Sequence, residues 1–253
     1  MELIVLGSAP AYTDRAGSAA SSYLLRSGGA ALLLDIGQGS LANLASTVEP
    51  STLAAILVSH LHPDHFVDLV PLRHYLKWEF VPSRRLGVLG PAGLAGRVDS
   101  LNGELGFAAE ALDVKPLAEG IRRIGPFEVE ARRVAHTDES YAFRVAPALL
   151  NGDSPGAGLV YSGDCSRADD LLALIRPGDT LLSEATFGAG PVAPGAQHIT
   201  SGDAARVAAS GGAARMLLTH ILSGHSRQAT LDAACAAFAG PVQLVTEGDR
   251  FEI

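Results

Sequence analysis

The stretch "ILVSHLHPDHFVDL", residues 56–69, places His60, His62, Asp64 and His65 within six positions, directly after an apolar run. Two readings compete. One is a polar loop of solvated and helix-capping side chains; the other is the nucleus of a metal site. His60 and His62 alternate by two, so on an extended loop both rings fall on one side, and Asp64 and His65 turn toward a second position.

The rest of the chain favours the metal site. Short apolar runs bounded by Gly, Pro and Asp read as strands at 3–7, 22–27, 30–37, 54–60, 85–90, 127–136, 141–147, 158–164, 180–186, 214–220 and 242–248. Helical segments are predicted at 39–47, 65–78, 93–102, 168–176, 201–210 and 229–238, and "NGDSPGAG" (151–158) reads as a hairpin or surface loop. The expectation is one mixed α/β domain, residues 1–253, with more than ten strands in two packed sheets and helices on the outer faces. Five strands stop at a His or Asp: Asp35, His60, His136, Asp164 and His220. Strand ends are where α/β folds gather ligands, because loops there carry polar groups without entering the core.

One ion cannot take seven protein ligands and stay catalytic, but two can. His60, His62 and His136 would hold one, Asp64, His65 and His220 the other, with Asp164 bridging. Such a pair activates a water and clamps a phosphoryl or carbonyl oxygen. Zn is the first choice, and Mn and Fe share these donors. Asp35 either holds a ligand histidine in its tautomer or caps the turn at "DIGQG".

Composition limits the partners. The 253 residues are 47% hydrophobic and 18% charged, with a net charge of −8, which does not favour wide tracking along nucleic-acid phosphates. Cys165 and Cys235 do not make a secreted disulfide framework. The opening "MELIVLG" has no signal-peptide pattern and no apolar run is long enough to span a membrane, so the expectation is a soluble cytoplasmic protein.

"HLHPDH" (60–65), followed by His136, Asp164 and His220 and preceded by Asp35, resembles the metallo-β-lactamase superfamily over nearly the whole chain. That resemblance implies an αββα sandwich with a dinuclear centre on one edge, and leaves the reaction open, since the fold hosts many. "LLSEATF" (181–187) is similar to the HEAT motif of the ribonuclease Z branch, with Ser183 where His is usual; "QHITSGDAA" (197–205) is similar to its HST motif. The resemblance makes His198 a general acid and Glu184 its orienting partner, with Asp64 among the catalytic groups. Thr200 and Asp203 resemble a capping box, which places His198 just before a helix N-terminus, where backbone amides favour phosphate.

Two departures from that branch bear on the substrate. Only 27 residues separate His136 from Asp164, too few for the tRNA-gripping arm, and the basic PxKxRN loop is missing. The chain looks more like the small ribonuclease Z-like phosphodiesterases. The reading is attack by metal hydroxide on a small nucleotide-type phosphodiester, with cyclic nucleotides among the candidates. The alternatives are an RNA 3′-end endonuclease and a non-phosphate hydrolase of the glyoxalase II or lactonase kind. A homodimer follows from the resemblance, and no membrane partner is expected. His74, His225 and Cys165 are read as non-catalytic, and Tyr75, Trp78 and Phe80 as core packing.

Overall fold

The structure, a computed structural model, describes residues 1–148, 156–192 and 194–253. Most of the loop expected at 151–158 lies outside the described residues.

The strands form two seven-stranded sheets. The first is built from β1 (Glu2–Gly7), β2 (Ser22–Ser27), β3 (Ala30–Leu34), β4 (Ala55–Leu57), β5 (Leu86–Gly90) and β6 (Leu112–Pro116). The second takes β7 (Gly120–Ile124), β8 (Phe127–Arg133), β9 (Tyr141–Pro147), β10 (Leu159–Tyr161), β11 (Thr180–Glu184), β12 (Arg215–Thr219) and β13 (Val242–Leu244). The last strand, β14 (Arg250–Glu252), returns to the first sheet and pairs antiparallel with β1.

Alternation along each strand makes four layers. On β1, Leu3 and Val5 face the second sheet, where they join Tyr23, Phe143 and Tyr161; Ile4 and Leu6 face outward under helices. On β12, Leu217 points inward, and Met216 and Leu218 point toward the opposite helix layer. Strands buried on both faces read as unbroken apolar runs, which is why the sequence located them. The three strands that sequence reasoning missed, β6, β7 and β14, all lie at sheet edges. An edge strand carries more polar residues because one side faces water, and "GIRRI" and "LDVKP" have little apolar signal.

The outer helices are α1 (Ser40–Thr47), α2 (Pro63–Phe66), α3 (Leu69–Trp78), α4 (Leu94–Asn102), α5 (Ser201–Gly211) and α6 (Arg227–Ala237). The helix expected over 65–78 is broken into α2 and α3, and the segment expected at 168–176 is a 3₁₀ helix at Ala168–Ala173. Pro71 sits in the first turn of α3, where a missing N–H costs little. Trp78 is 68% exposed, which corrects its reading as core; Tyr75 packs at the edge of the core and stacks edge-on with Phe80. α5 has the expected capping box, with Asp203 N–H donating to Thr200 Oγ1, and it stops at Gly212 in the left-handed region. Among the described residues no helix is long and apolar enough to cross a membrane.

The topology positions the site. β3 and β4 run parallel, as do β10, β11 and β12. β8 shares the direction of β10, because both pair antiparallel with β9. The C-terminal ends within each sheet therefore lie on one edge, and the five strand-end residues named above follow those ends.

Candidate metal centre

His60, His62, His136 and Asp164 form one cluster of donor atoms, and Asp64, His65, Asp164 and His220 a second; within each, the atoms lie inside 4.8 Å of one another. All seven residues expected from the sequence are brought together, and Asp164 is common to both sets. His62 Nδ1 stands 3.0 Å from His60 Nε2 and 3.1 Å from His136 Nε2. Asp164 Oδ2 lies 3.6 Å from His60 Nε2, 3.8 Å from His136 Nε2 and 3.4 Å from His65 Nε2. In the second cluster, His220 Nε2 is 3.2 Å from Asp64 Oδ2 and 3.6 Å from Asp164 Oδ1. Donors arranged tetrahedrally around zinc at about 2.0–2.1 Å stand about 3.3–3.4 Å apart, so these separations match ligand edges.

The hydrogen bonds behind the rings fix which nitrogen faces inward. His65 Nδ1 donates to Asp35 Oδ2 at 2.7 Å, His136 Nδ1 to the Gln197 carbonyl at 2.8 Å, and His220 Nδ1 to Thr186 Oγ1 at 3.0 Å. His60 Nδ1 meets Ser59 Oγ at 3.1 Å. In its neutral form each ring is thereby left with a lone pair on Nε2, the tautomer a metal requires. His65 Nε2 is buried with no hydrogen-bond partner among the described residues. An orphaned imidazole nitrogen aimed at two carboxylates is the observation that fits a cation here.

Charge gives the same answer. Asp35, Asp64, Asp164 and Glu184 are all buried in this small volume, and buried charge has to be paired. Burial pushes His60 well below the usual histidine range and lowers His62 and His136, which favours the neutral form of all three rings. Burial also opposes charge on His65, but Asp164 and Asp35 outweigh it and hold that ring well above its usual range. Burial resists ionisation of Asp164 as well, yet His220 and His65 pull it well below the carboxylate range.

Backbone strain is concentrated at the same place. Among described residues other than glycine, only Asp35 and His220 take a left-handed φ, 56° and 57°. Each costs about 1–2 kcal/mol and persists because the surrounding bonds hold it. Gly37 is needed beside them, since a Cβ there would fall 2.0 Å from the Asp64 carbonyl.

His198 and Glu184 stand next to the clusters. Glu184 Oε1 accepts from His198 Nδ1 at 3.0 Å, and His198 Nδ1 lies 3.8 Å from Asp164. Burial works against charge on His198, but the Glu184 hydrogen bond and carboxylate raise it above the ordinary histidine value. Thr186 Oγ1 joins the two groups by bonding Glu184 Oε2 at 2.5 Å and His220 Nδ1. A cleft of about 580 Å³, lined by Ser166, Arg167, Asp169, Gly195, Ala196 and His198, opens beside the pair. His225 is half-buried against Phe187, and His74 lies exposed against Phe107. Cys165 is buried, and its N–H donates to Glu184 Oε1.

Ser59, Tyr161, Thr186 and the Gln197 carbonyl escaped sequence reasoning. Thr186 lies inside "LLSEATF" and Ser59 directly before His60, so both were adjacent to readable motifs. Tyr161 reads as an ordinary core aromatic in "LVY".

A family model described as the beta-lactamase superfamily domain matches residues 32–221. The chain belongs to that superfamily, whose metal-dependent hydrolases carry His/Asp sites of this kind. Within it, the chain is a small member of the YhfI and ribonuclease Z type. The crystal structure of the metallo-beta-lactamase fold protein YhfI from Bacillus subtilis superposes with a TM-score of 0.85 at 26% identity, covering 99% of each chain. A ribonuclease Z of Halobacterium salinarum is 26% identical over 92% of this chain and 91% of its own. An uncharacterized protein of Mycobacterium leprae is 35% identical over 93% of this chain and 83% of its own.

Proposed function

We propose that this chain is a dinuclear zinc phosphodiesterase of the cytoplasm, acting on a small nucleotide-type phosphodiester such as a cyclic nucleotide. His60, His62 and His136 would hold one ion, Asp64, His65 and His220 the other, and Asp164 both. When bound, the ions supply Lewis acidity, which neutralises the non-bridging phosphoryl oxygens and acidifies a water.

The observation that carries the reading is the His198–Glu184 pair, with Nδ1 3.0 Å from Oε1. Glu184 keeps a proton on Nδ1 and favours the charged ring, so Nε2 is the proton that His198 gives up. An alkoxide leaving group needs that proton, whereas the thiolate of a thioester leaves without one. Asp64, held ionised against the cost of burial by the His220 hydrogen bond and His65, offers an oxygen to orient the attacking water. The start of α5 lies just beyond His198, but its capping box and the Gly188 carbonyl already take the N–H groups of Thr200, Ser201 and Asp203, so the helix end adds nothing to phosphate binding. The 580 Å³ cleft has the volume of a small-ligand site.

A second reading, an RNA 3′-end endonuclease, is favoured by the full-length likeness to a ribonuclease Z. The net charge of −8 and the short span between His136 and Asp164 count against it. Parallel turnover of bis(4-nitrophenyl) phosphate, 3′,5′-cyclic AMP, a precursor tRNA and a lactone by the zinc-loaded protein separates the readings. Cleavage of the first two is expected. Cleavage of precursor tRNA alone would support the endonuclease, and of the lactone alone would remove phosphodiesters altogether.

A further inference from the structure

Tyr161 has no part in the chemistry above, yet its hydroxyl ends beside the metal centre. Its ring belongs to β10 of the second sheet and is 1% exposed. The hydroxyl crosses the sandwich and donates to Asp35 Oδ2 at 2.6 Å, just past β3 of the first sheet. The same oxygen accepts His65 Nδ1 at 2.7 Å and Ser59 Oγ at 2.8 Å, while Oδ1 accepts the Ser59 N–H at 2.6 Å. Ser59 Oγ, having given its proton to Asp35, accepts from His60 Nδ1. Asp35 therefore orients His65 directly and His60 through Ser59, one imidazole in each cluster.

We propose that Tyr161 is a positioning residue of the metal centre, whose hydroxyl locks from the opposite sheet the Asp35 carboxylate that orients His65 and, through Ser59, His60. The proposal rests on the dinuclear reading. Four donors on two oxygens leave the carboxylate one orientation, in which His65 shows Nε2 to the second cluster. The Tyr161 ring is itself held, packed 4.9 Å from Tyr23, whose hydroxyl pairs with Thr219 Oγ1 at 2.7 Å. Tyr161→Phe keeps that packing and removes one donor. Without it the carboxylate can rotate, and His65 loses more than His60, because Ser59 still ties His60 to Asp35.

The test is a double-mutant cycle of Tyr161→Phe and Asp35→Asn on the full chain, stripped of metal and titrated with zinc against a competing chelator. Anomalous diffraction from the same variants shows which position has emptied. Tyr161→Phe is expected to weaken zinc binding about tenfold, the lower end for a residue supporting a ligand, with the larger loss at the Asp64–His65–His220 position. The double variant should bind zinc no more weakly than Asp35→Asn alone, because Tyr161 acts through Asp35. Unchanged affinity, equal loss at both positions, or fully additive losses would each overturn the proposal. If Asp35→Asn does not fold, the unequal loss in Tyr161→Phe alone decides. Should the unsubstituted protein bind fewer than two zinc ions, the dinuclear reading fails first, and that result is visible before any substitution is made.

Discussion

The His60–His62–His136 cluster and the Asp64–His65–His220 cluster share Asp164, yet they differ in depth and in charge. The first is three imidazoles, all driven toward the neutral form by burial, and its His62 is half-exposed. The second is buried throughout and adds a carboxylate of its own, Asp64. Its His65 is pulled the other way, toward charge, by Asp164 and Asp35 against the cost of burial. One sandwich edge thus offers a more open position with one carboxylate, the shared Asp164, beside a deeper one with two, Asp164 and Asp64. A dication should be held more firmly where charge and burial combine, and exchange more readily where a ring meets solvent.

Removing the shared ligand breaks the comparison outright. Asp164→Ala should leave less than one ion per chain by elemental analysis and cut phosphodiester turnover on the order of 10³-fold, the scale of losing preorganised charge at a reacting centre. His198→Ala tests whether the acid stands outside both clusters. Turnover should fall about a hundredfold or more, as for loss of a general acid, with metal content still near two. Loss of metal instead would make His198 a ligand, a role its place with Glu184 and His220 in a third group of donors makes worth checking.

Release kinetics sharpen the contrast. Challenged with excess chelator, the zinc-loaded protein should lose its ions in two phases, and His62→Ala should abolish the fast one. A single phase would mean that the positions are equivalent.

The smallest effect is on stability. In the metal-free protein, first-cluster histidines with depressed values cost stability as pH falls through the unfolded value of about 6.5. His65, with a raised value, contributes below about 6.5 and loses that contribution as pH rises through its folded value. Thermal melts of the metal-free chain should therefore fall off on both sides of neutrality. His60→Gln should flatten the acid limb and His65→Gln the alkaline one. Bound zinc should remove the alkaline slope by taking the His65 lone pair and steepen the acid one, because a metal-bound ring takes no proton in the folded state while the unfolded chain still does.

The ligand set was legible because it uses few residue types at fixed places. "HLHPDH" concentrates four donors, and Asp164 and His220 each follow an apolar run that can only be an inner strand. Glu184 and His198 were legible through motif likeness, and the structure puts them 3.0 Å apart. The edge strands β6, β7 and β14 were not legible, since one-sided burial leaves no apolar run. Nor was the break between α2 and α3. Asp68 N–H there pairs with the Ile36 carbonyl, and the Asp68 carboxylate accepts the Leu41 N–H, contacts about 30 residues back in the chain.

By itself, then, the sequence determined which strands are buried on both faces, which residue types stand at their ends, and hence the chemistry those ends can offer. Period and composition are local properties, and they survive in a linear text. The tertiary structure alone decided how donors were divided between an open and a deep position, which imidazole nitrogen faces inward, and that Tyr161 reaches Asp35 from the opposite sheet. Those outcomes depend on distances between segments up to 156 residues apart, as for His220 and Asp64. Such distances are set by the packing of the two sheets, and no stretch of either sheet encodes them alone.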